Sequence, residues 1–272
     1  MDSIEDFKVT PIKRGSFTGG LVKPAEEWEW TFHGKYWKVK NAFYDLDLLK
    51  DILKCYPIED KNNEPGVTHP NPFITHHLPH WIFSHISEEV RNFIVLNHFK
   101  REKEFQLPQE RLSEWGNIFS RKDSRPLRHA SLPHIDFAGD CGYIANLWLS
   151  EHEPNHTGTK IFSYYGDYDA RGYDFQYDPK HHLHKPWLAL YGSGTDLLDQ
   201  YENFVDDFFW KFTKVGYAPA EYGTMTIYDA NIPHTPWIPD DVDFRWSHCF
   251  GFKYTPIHNV LRGNISDTTM GL

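Results

Sequence analysis

The segment "SLPHIDFAGDCGY", residues 131–143, places a histidine and an aspartate two positions apart, between a proline and a glycine-containing turn. Side chains two positions apart on an extended strand lie on the same side, so His134 and Asp136 point together if this segment is a strand. An imidazole and a carboxylate on one face can share a metal ion. A polar pair at a strand end is the alternative, and the segment alone does not choose between them.

Short strand-like runs follow this segment along the chain. They are rich in aromatic and β-branched residues and are bounded by Gly, Pro, Asn and Asp, as strands of antiparallel sheets are. The runs are "YIANLWLS" (143–150), "TKIFSYYG" (159–166), "WLALYGS" (187–193), "GTMTIYDA" (223–230) and "RWSHCFGFKYT" (245–255). They predict a mainly β fold, a sandwich or barrel with flanking helices packed outside it.

Three segments have apolar residues at helical spacing. The first helix is predicted from Leu46, the second from Ser87 as N-cap, and the third within residues 194–215, with Gly216 as its stop. No repeat or low-complexity linker divides the chain, which predicts one domain. Its predicted parts are a helix-rich region of residues 1–125, a β core of residues 126–256 and a helical insertion of residues 167–215.

Composition limits the classes of partner. The net charge is −10 and the basic residues are scattered, so nucleic acid is not an expected partner. No apolar run approaches the roughly 18 residues that a membrane helix needs, and the first residues lack a signal-peptide pattern. We therefore expect a cytoplasmic protein with a small-molecule substrate and no membrane association. The oligomeric state is left open, with a homodimer as one option.

A second polar pattern lies about a hundred residues beyond the first. His234 follows the strand-like run "GTMTIYDA", ten residues separate it from Arg245, and Ser247 is two positions further on. Arg245 and Ser247 alternate to one face of the predicted strand. A guanidinium and a hydroxyl beside a metal can hold the far carboxylate of a dicarboxylic acid. The two patterns together favour a metal site over a pair of unrelated polar residues.

This combination resembles the iron(II)- and 2-oxoglutarate-dependent dioxygenases, and within them the prolyl-hydroxylase-like branch. The family pattern of His-x-Asp, a distant His and then Arg-x-Ser is matched by His134, Asp136, His234, Arg245 and Ser247. The runs "WKVKNAFYDLDLLKDIL" and "NLWLSEHEPNHTGTKIFSYYG" also resemble family segments. The usual Gly-Gly-Thr of the second run is Thr-Gly-Thr here, which puts the closest subfamily in doubt rather than the metal.

The resemblance implies a double-stranded β-helix (jelly-roll or cupin-like) core and the cofactors Fe(II), 2-oxoglutarate and O2. By the same resemblance, His134, Asp136 and His234 ligate iron, and Arg245 and Ser247 hold the far carboxylate of 2-oxoglutarate. The implied reaction hydroxylates or desaturates a small molecule, such as an amino acid or a biosynthetic intermediate, and releases succinate and CO2. The aspartate favours these outcomes over halogenation, for which family members replace it by a small residue.

Further residues are candidates for the surrounding pocket. Tyr143 can hydrogen-bond the cosubstrate if it faces inward, and a sheet aromatic is the alternative for it. Arg128 and Trp237 are candidates for substrate contact, with a surface salt bridge and ordinary packing as their alternatives. Trp148 and Trp246 are expected to fill the core.

Two other functions are compatible with these residues. One is a different metalloenzyme, a cupin-type oxygenase or a zinc hydrolase, that uses the same His, Asp and His. A cupin needs two histidines in the first pair and a glutamate soon after, which this sequence does not supply cleanly. The other is a non-catalytic binding protein on a β-helix, which the retained set of polar residues disfavours.

Overall fold

The computed structural model describes residues 20–55, 58–60, 73–75, 80–97, 105–106, 113–120, 133–135, 142–152, 156–164, 180, 184–185, 212–230, 232–253 and 255–256. Thirteen strands and two α-helices lie within these ranges. The helices are α1 (Leu46–Lys54) and α2 (His80–Asn97). The strands are β1 (Glu29–Phe32), β2 (Tyr36–Lys40), β3 (Ile58–Asp60), β4 (Phe73–Thr75), β5 (Phe105–Gln106), β6 (Ser113–Ser120), β7 (Gly142–Trp148), β8 (Gly158–Tyr164), β9 (Phe212–Pro219), β10 (Met225–Asp229), β11 (His234–Trp237), β12 (Phe244–Lys253) and β13 (Thr255–Pro256).

All strand pairs in the described ranges are antiparallel and form three sheets. The large sheet has the order β1-β2-β10-β7-β12-β6-β4-β3, the small sheet has the order β11-β8-β9, and β13 pairs with β5. The predicted mainly β fold with antiparallel sheets and flanking helices is thus confirmed. No helix in the described part of the chain is both long enough and apolar enough to span a membrane.

Both helices bury their apolar sides in one core with one face of the large sheet. In α1 the side chain of Asp45 accepts a hydrogen bond from the Leu48 amide at 2.8 Å, which caps the helix start. In α2 the ring of Phe93 meets the edge of Trp37 on β2, with their centroids 6.0 Å apart. This core also contains Ala145 and Leu147 of β7, so that face of the sheet is covered by helices.

The opposite face of the large sheet packs against the small sheet. A second buried cluster joins Tyr36, Ile144 and Tyr228 of the large sheet to Ile161 and Ala218 of the small one. Because side chains alternate along a strand, β2, β7 and β10 each send one set of residues to the helices and the other set between the sheets. We call this second face the inner face.

The structure corrects two helix predictions. The third predicted helix does not extend to Gly216, because Phe212–Pro219 form β9 and Gly216 pairs with Ile161 of β8. The earlier part of that prediction lies outside the described residues. Ser87 is not an N-cap, since α2 begins seven residues before it. Residues 1–125, the region predicted to be rich in helix, contain strands β1 to β6 besides α1 and α2.

The predicted runs at 143–150, 159–166, 223–230 and 245–255 correspond to β7, β8, β10 and β12. The run at 187–193 lies outside the described residues.

Gly158 is the position of the small sheet where a side chain is least tolerable. A Cβ atom there would overlap the carbonyl oxygen of Ala218 and lie 3.0 Å from the hydroxyl oxygen of Tyr217. We expect Gly158→Ala to lower the free energy of unfolding by about 1–3 kcal/mol or more, because a backbone atom has to move. The loss is measured by chemical denaturation. Gly216→Ala is the matched control, since its Cβ would meet the Cβ of Ile161 at an ordinary 3.5 Å, and equal losses for the two variants would contradict the expectation.

Candidate metal and carboxylate site

His134 and His234 are brought together by the backbone. Each amide donates to the carbonyl of the other, at 3.0 Å for the His134 amide and 2.9 Å for the His234 amide, which adds residues 133–135 to the edge of the small sheet beside β11. Directly opposed residues of an antiparallel pair project on the same face. The two imidazole centroids are accordingly 4.7 Å apart, with 51° between the ring planes.

This separation suits two ligands of one ion. Metal–nitrogen bonds of histidine are about 2.1 Å long, so two imidazoles bound to one metal at right angles have centroids roughly 4.5 Å apart. The rings of His134 and His234 therefore fit a shared metal without a rearrangement of the backbone that carries them.

A hydrogen bond sets the protonation of His234. Its Nδ1 lies 2.9 Å from the carbonyl oxygen of Ile232, and a carbonyl only accepts, so Nδ1 carries the proton. The Nε2 atom then has the lone pair that a metal requires. A backbone carbonyl bound to the other ring nitrogen is the usual support for a metal-ligating histidine.

Asp136 and Arg128 lie outside the described residues. Among the residues that the structure does describe, no group of three His, Cys, Asp or Glu side chains is placed to hold a metal. The described part of the site thus comprises the two histidines of the predicted triad.

Arg245 is buried on the inner face of the large sheet. Only 3% of its surface is exposed, and among the described residues its Nε and Nη1 atoms have no hydrogen-bond partner. Its guanidinium carbon lies 4.8 Å from the ring centroid of Trp148, so the guanidinium plane is held by a cation–π contact with this ring. Burial lowers the pKa of Arg245 to about 10, so the group still carries its charge at pH 7. A buried cation with unused donors is costly by itself and is suited to an anion with acceptors in a plane, such as a carboxylate.

Register places further polar residues beside Arg245. Ser247 is two positions along β12 and directly opposite Trp148 of β7, so both lie on the inner face with Arg245. Asn146 lies on the same face, where its Oδ1 accepts from the thiol of Cys249 at 3.2 Å. Asn146 joins this face by ordinary alternation.

Tyr143 lies on the other face. It belongs to the core under the helices, and its ring is 6.3 Å from that of Trp37. The structure therefore does not bring Tyr143 together with Arg245, and its placement matches the alternative of a sheet aromatic.

Tyr228 connects the histidines with the arginine. Its ring meets His234 edge to face with centroids 4.9 Å apart, and Tyr228 is one of the groups that act to raise the pKa of Arg245. Tyr228 is on β10, next to β7 in the large sheet, whereas His234 is on the small sheet. The two parts of the predicted site thus meet in the space between the sheets.

Trp237 points away from His234. The two residues are three positions apart on β11, so alternation sends them to opposite faces of that strand. The ring of Trp237 instead contacts Tyr217 at 5.0 Å and lies under the amine of Lys160 at 5.3 Å. These contacts match the packing alternative for this residue.

Two residues of this region could not be found from the sequence pattern. Trp148 was expected only to fill the core, yet it is the aromatic platform for Arg245. His152 follows the same strand, and its buried Nε2 has no hydrogen-bond partner among the described residues. The contact of Trp148 depends on the pairing of β7 with β12, which no local motif specifies.

No protein-family model and no curated protein matches the sequence. Several solved structures are similar to the chain. One is a non-heme alpha ketoglutarate dependent carbocyclase, SnoK from nogalamycin biosynthesis, which is 11% identical, with 91% of this chain and 94% of SnoK covered and a TM-score of 0.49. Another is HygX from Streptomyces hygroscopicus, with nickel, 2-oxoglutarate and hygromycin B bound, which is 13% identical, with coverages of 80% and 82% and a TM-score of 0.43.

A third similar structure is an N-substituted L-amino acid dioxygenase from Burkholderia ambifaria AMMD. It is 9% identical, with 82% of this chain and 85% of that chain covered and a TM-score of 0.37. One fold hosts many reactions, so identities of this size do not carry an activity from one protein to another. The function of this chain has to follow from its own side chains.

Proposed function

We propose that this protein is an Fe(II)- and 2-oxoglutarate-dependent oxygenase that hydroxylates or desaturates a small molecule. The observation that carries the proposal is the buried Arg245 guanidinium, whose Nε and Nη1 lack partners among the described residues. Tyr228, which acts electrostatically on Arg245, contacts His234 of a pair of histidines at metal-ligand separation. A metal site beside a carboxylate site is what a chelating dicarboxylic cosubstrate needs.

His134, Asp136 and His234 are the proposed ligands of iron. The paired backbone of the two histidines and the Nδ1 bond of His234 support this choice, and Asp136 follows His134 at the spacing that puts both on one side of an extended segment. Two imidazoles and one carboxylate are the donor set of non-haem iron(II) oxygenases. Iron bound there would activate O2 for the oxidation of both 2-oxoglutarate and the substrate.

Arg245 and Ser247 are the proposed contacts of the far carboxylate of 2-oxoglutarate. Trp148 holds the guanidinium plane, so the donor atoms of Arg245 are oriented before the ligand arrives. The burial of Arg245 excludes water and strengthens the ion pair. Tyr143 has no part in this proposal, since it packs under the helices.

The substrate is proposed to be a small molecule, such as an amino acid or a biosynthetic intermediate, and the setting to be the cytoplasm. The net charge of −10 with scattered basic residues supports a partner other than nucleic acid. Arg128 remains the candidate for contact with an anionic group of the substrate.

The test begins with purified protein under anaerobic conditions. Adding Fe(II) and 2-oxoglutarate is expected to produce the weak metal-to-ligand absorption band of a chelated 2-oxo acid. Admission of O2 is then expected to release succinate. A protein that gives no band and does not bind 2-oxoglutarate would rule the proposal out. A zinc hydrolase would instead act with Zn²⁺ and without 2-oxoglutarate, and a binding protein would release no succinate.

A further inference from the structure

We propose that His152 is a second contact of the carboxylate held by Arg245 and that it takes up a proton when this carboxylate binds. The inference rests on the proposed function, because the anion in question is the far carboxylate of the cosubstrate. It assigns to the site a positioning residue that makes cosubstrate affinity depend on pH.

The chain path brings His152 to Arg245. After β7 the amide of Leu149 donates to the carbonyl of Trp246 at 3.0 Å, and the amide of Trp246 donates to the hydroxyl of Ser150 at 2.6 Å. The segment that leads to His152 is thus bonded to the residue that follows Arg245. Trp148, at the start of the same segment, carries the guanidinium on its ring.

Both side chains have unused polar atoms in a buried place. These are Nε2 of His152 and the Nε and Nη1 of Arg245, which lack hydrogen-bond partners among the described residues. A buried polar atom without a partner costs free energy, and three of them on two neighbouring side chains indicate a ligand that satisfies both. All three atoms can donate when His152 carries its proton on Nε2, so the ligand is an acceptor.

The surroundings of His152 keep its imidazole neutral when no ligand is bound. Burial, the Arg245 charge and His156 together lower the pKa of His152 to about 4, so the ring is neutral at pH 7. His156 is itself paired with Asp241, at 3.1 Å between Nε2 and Oδ1. The other groups that act on Arg245 are Cys249, Tyr217 and Tyr228, and burial raises the pKa of Tyr217 to about 12.

A bound carboxylate reverses this balance. It offsets the Arg245 charge and pairs with the imidazolium, and an adjacent opposite charge typically moves a pKa by about 1–3 units. The pKa of His152 in the complex is therefore expected to lie well above its value in the free protein. The complex then binds more protons than the free protein between pH 6 and pH 8. Affinity is therefore expected to rise as the pH falls, by about 2- to 10-fold from pH 8 to pH 6.

The experiment is calorimetric titration of the Fe(II)-loaded protein with 2-oxoglutarate under anaerobic conditions at pH 6, 7 and 8. Repeating each titration in buffers of different ionisation enthalpy gives the number of protons taken up. His152→Gln retains a hydrogen-bonding side chain and cannot take up the proton. His156→Gln is the matched control, because it removes a neighbouring histidine that we place outside the binding machinery.

The expected result is proton uptake at pH 6 in the unaltered protein and in His156→Gln, and its loss in His152→Gln together with the pH dependence of the affinity. Equal uptake in His152→Gln and the unaltered protein would overturn the inference while leaving the proposed function standing. If His152→Gln does not fold, absence of uptake in the unaltered protein decides against the inference. If the unaltered protein binds no 2-oxoglutarate at all, both fall.

Discussion

Arg245→Met is expected to raise the dissociation constant for 2-oxoglutarate by about 30-fold or more, since losing one partner of a buried charge pair costs about 2–5 kcal/mol. The same change is expected to leave the ligand-free protein as stable as before, or more stable. In the free protein the buried guanidinium has no counterion among the described residues, so an apolar side chain removes a desolvation cost. Titration with 2-oxoglutarate and thermal unfolding with and without it measure both effects.

Two further variants make this result specific. Arg245→Lys keeps the charge and loses the planar fork of donors. Its affinity for 2-oxoglutarate is therefore expected to lie between those of the unaltered protein and Arg245→Met. Lys160→Met removes a half-buried cation that lies on Trp237 in the small sheet, and it is expected to leave the affinity unchanged. An unchanged 2-oxoglutarate requirement in Arg245→Met would show that the carboxylate is held elsewhere.

His234→Ala is expected to abolish iron binding and 2-oxoglutarate-dependent succinate release. Removing the hydrogen-bond partner of a metal-bound histidine already lowers metal affinity or activity by about 10- to 100-fold. Loss of the ligand itself is expected to cause a larger decrease. The main-chain bonds between residues 134 and 234 do not need the imidazole, so the fold is expected to persist. Iron content per chain and succinate release are the measurements, and His134→Ala and Asp136→Ala are expected to behave in the same way.

His248→Gln is the control for this series. His248 is fully buried and stacks on Phe250, yet it alternates to the helix-covered face of β12, away from Arg245. The His248→Gln variant is expected to be less stable than the unaltered protein and to retain iron. Iron binding that survives in His234→Ala, or that is lost equally in His248→Gln, would contradict the assignment of His234 as a ligand.

Several features of the site were predictable from local sequence. The shared face of Arg245 and Ser247 requires only the two-residue period of an extended strand. The aromatic and β-branched runs predicted β7, β8, β10 and β12 for the same reason. The shared face of His134 and Asp136 stays a prediction, since Asp136 lies outside the described residues. The two polar patterns are about a hundred residues apart. Their proximity in space could be predicted only from the resemblance to a family, since spacing alone does not bring distant segments together.

Other features depended on packing between distant segments. Tyr143 is one residue beyond the start of β7, and nothing local decides whether the odd or the even positions of that strand face the helices. Phe212 continues the apolar spacing of the predicted third helix, but pairing with β8 made residues 212–216 part of a strand. The role of Trp148 required β12 to lie beside β7 in one particular register.

The sequence by itself determined which residues can carry the chemistry and which of them share a side of a strand, because alternation is a property of the local backbone. Only the tertiary structure decided that the two histidines are hydrogen-bonded neighbours and that Arg245 is buried on Trp148 with unused donors. It also decided that His152 lies within reach of the charge of that guanidinium. These facts depend on strand register and burial, which are set by contacts between residues far apart in the chain.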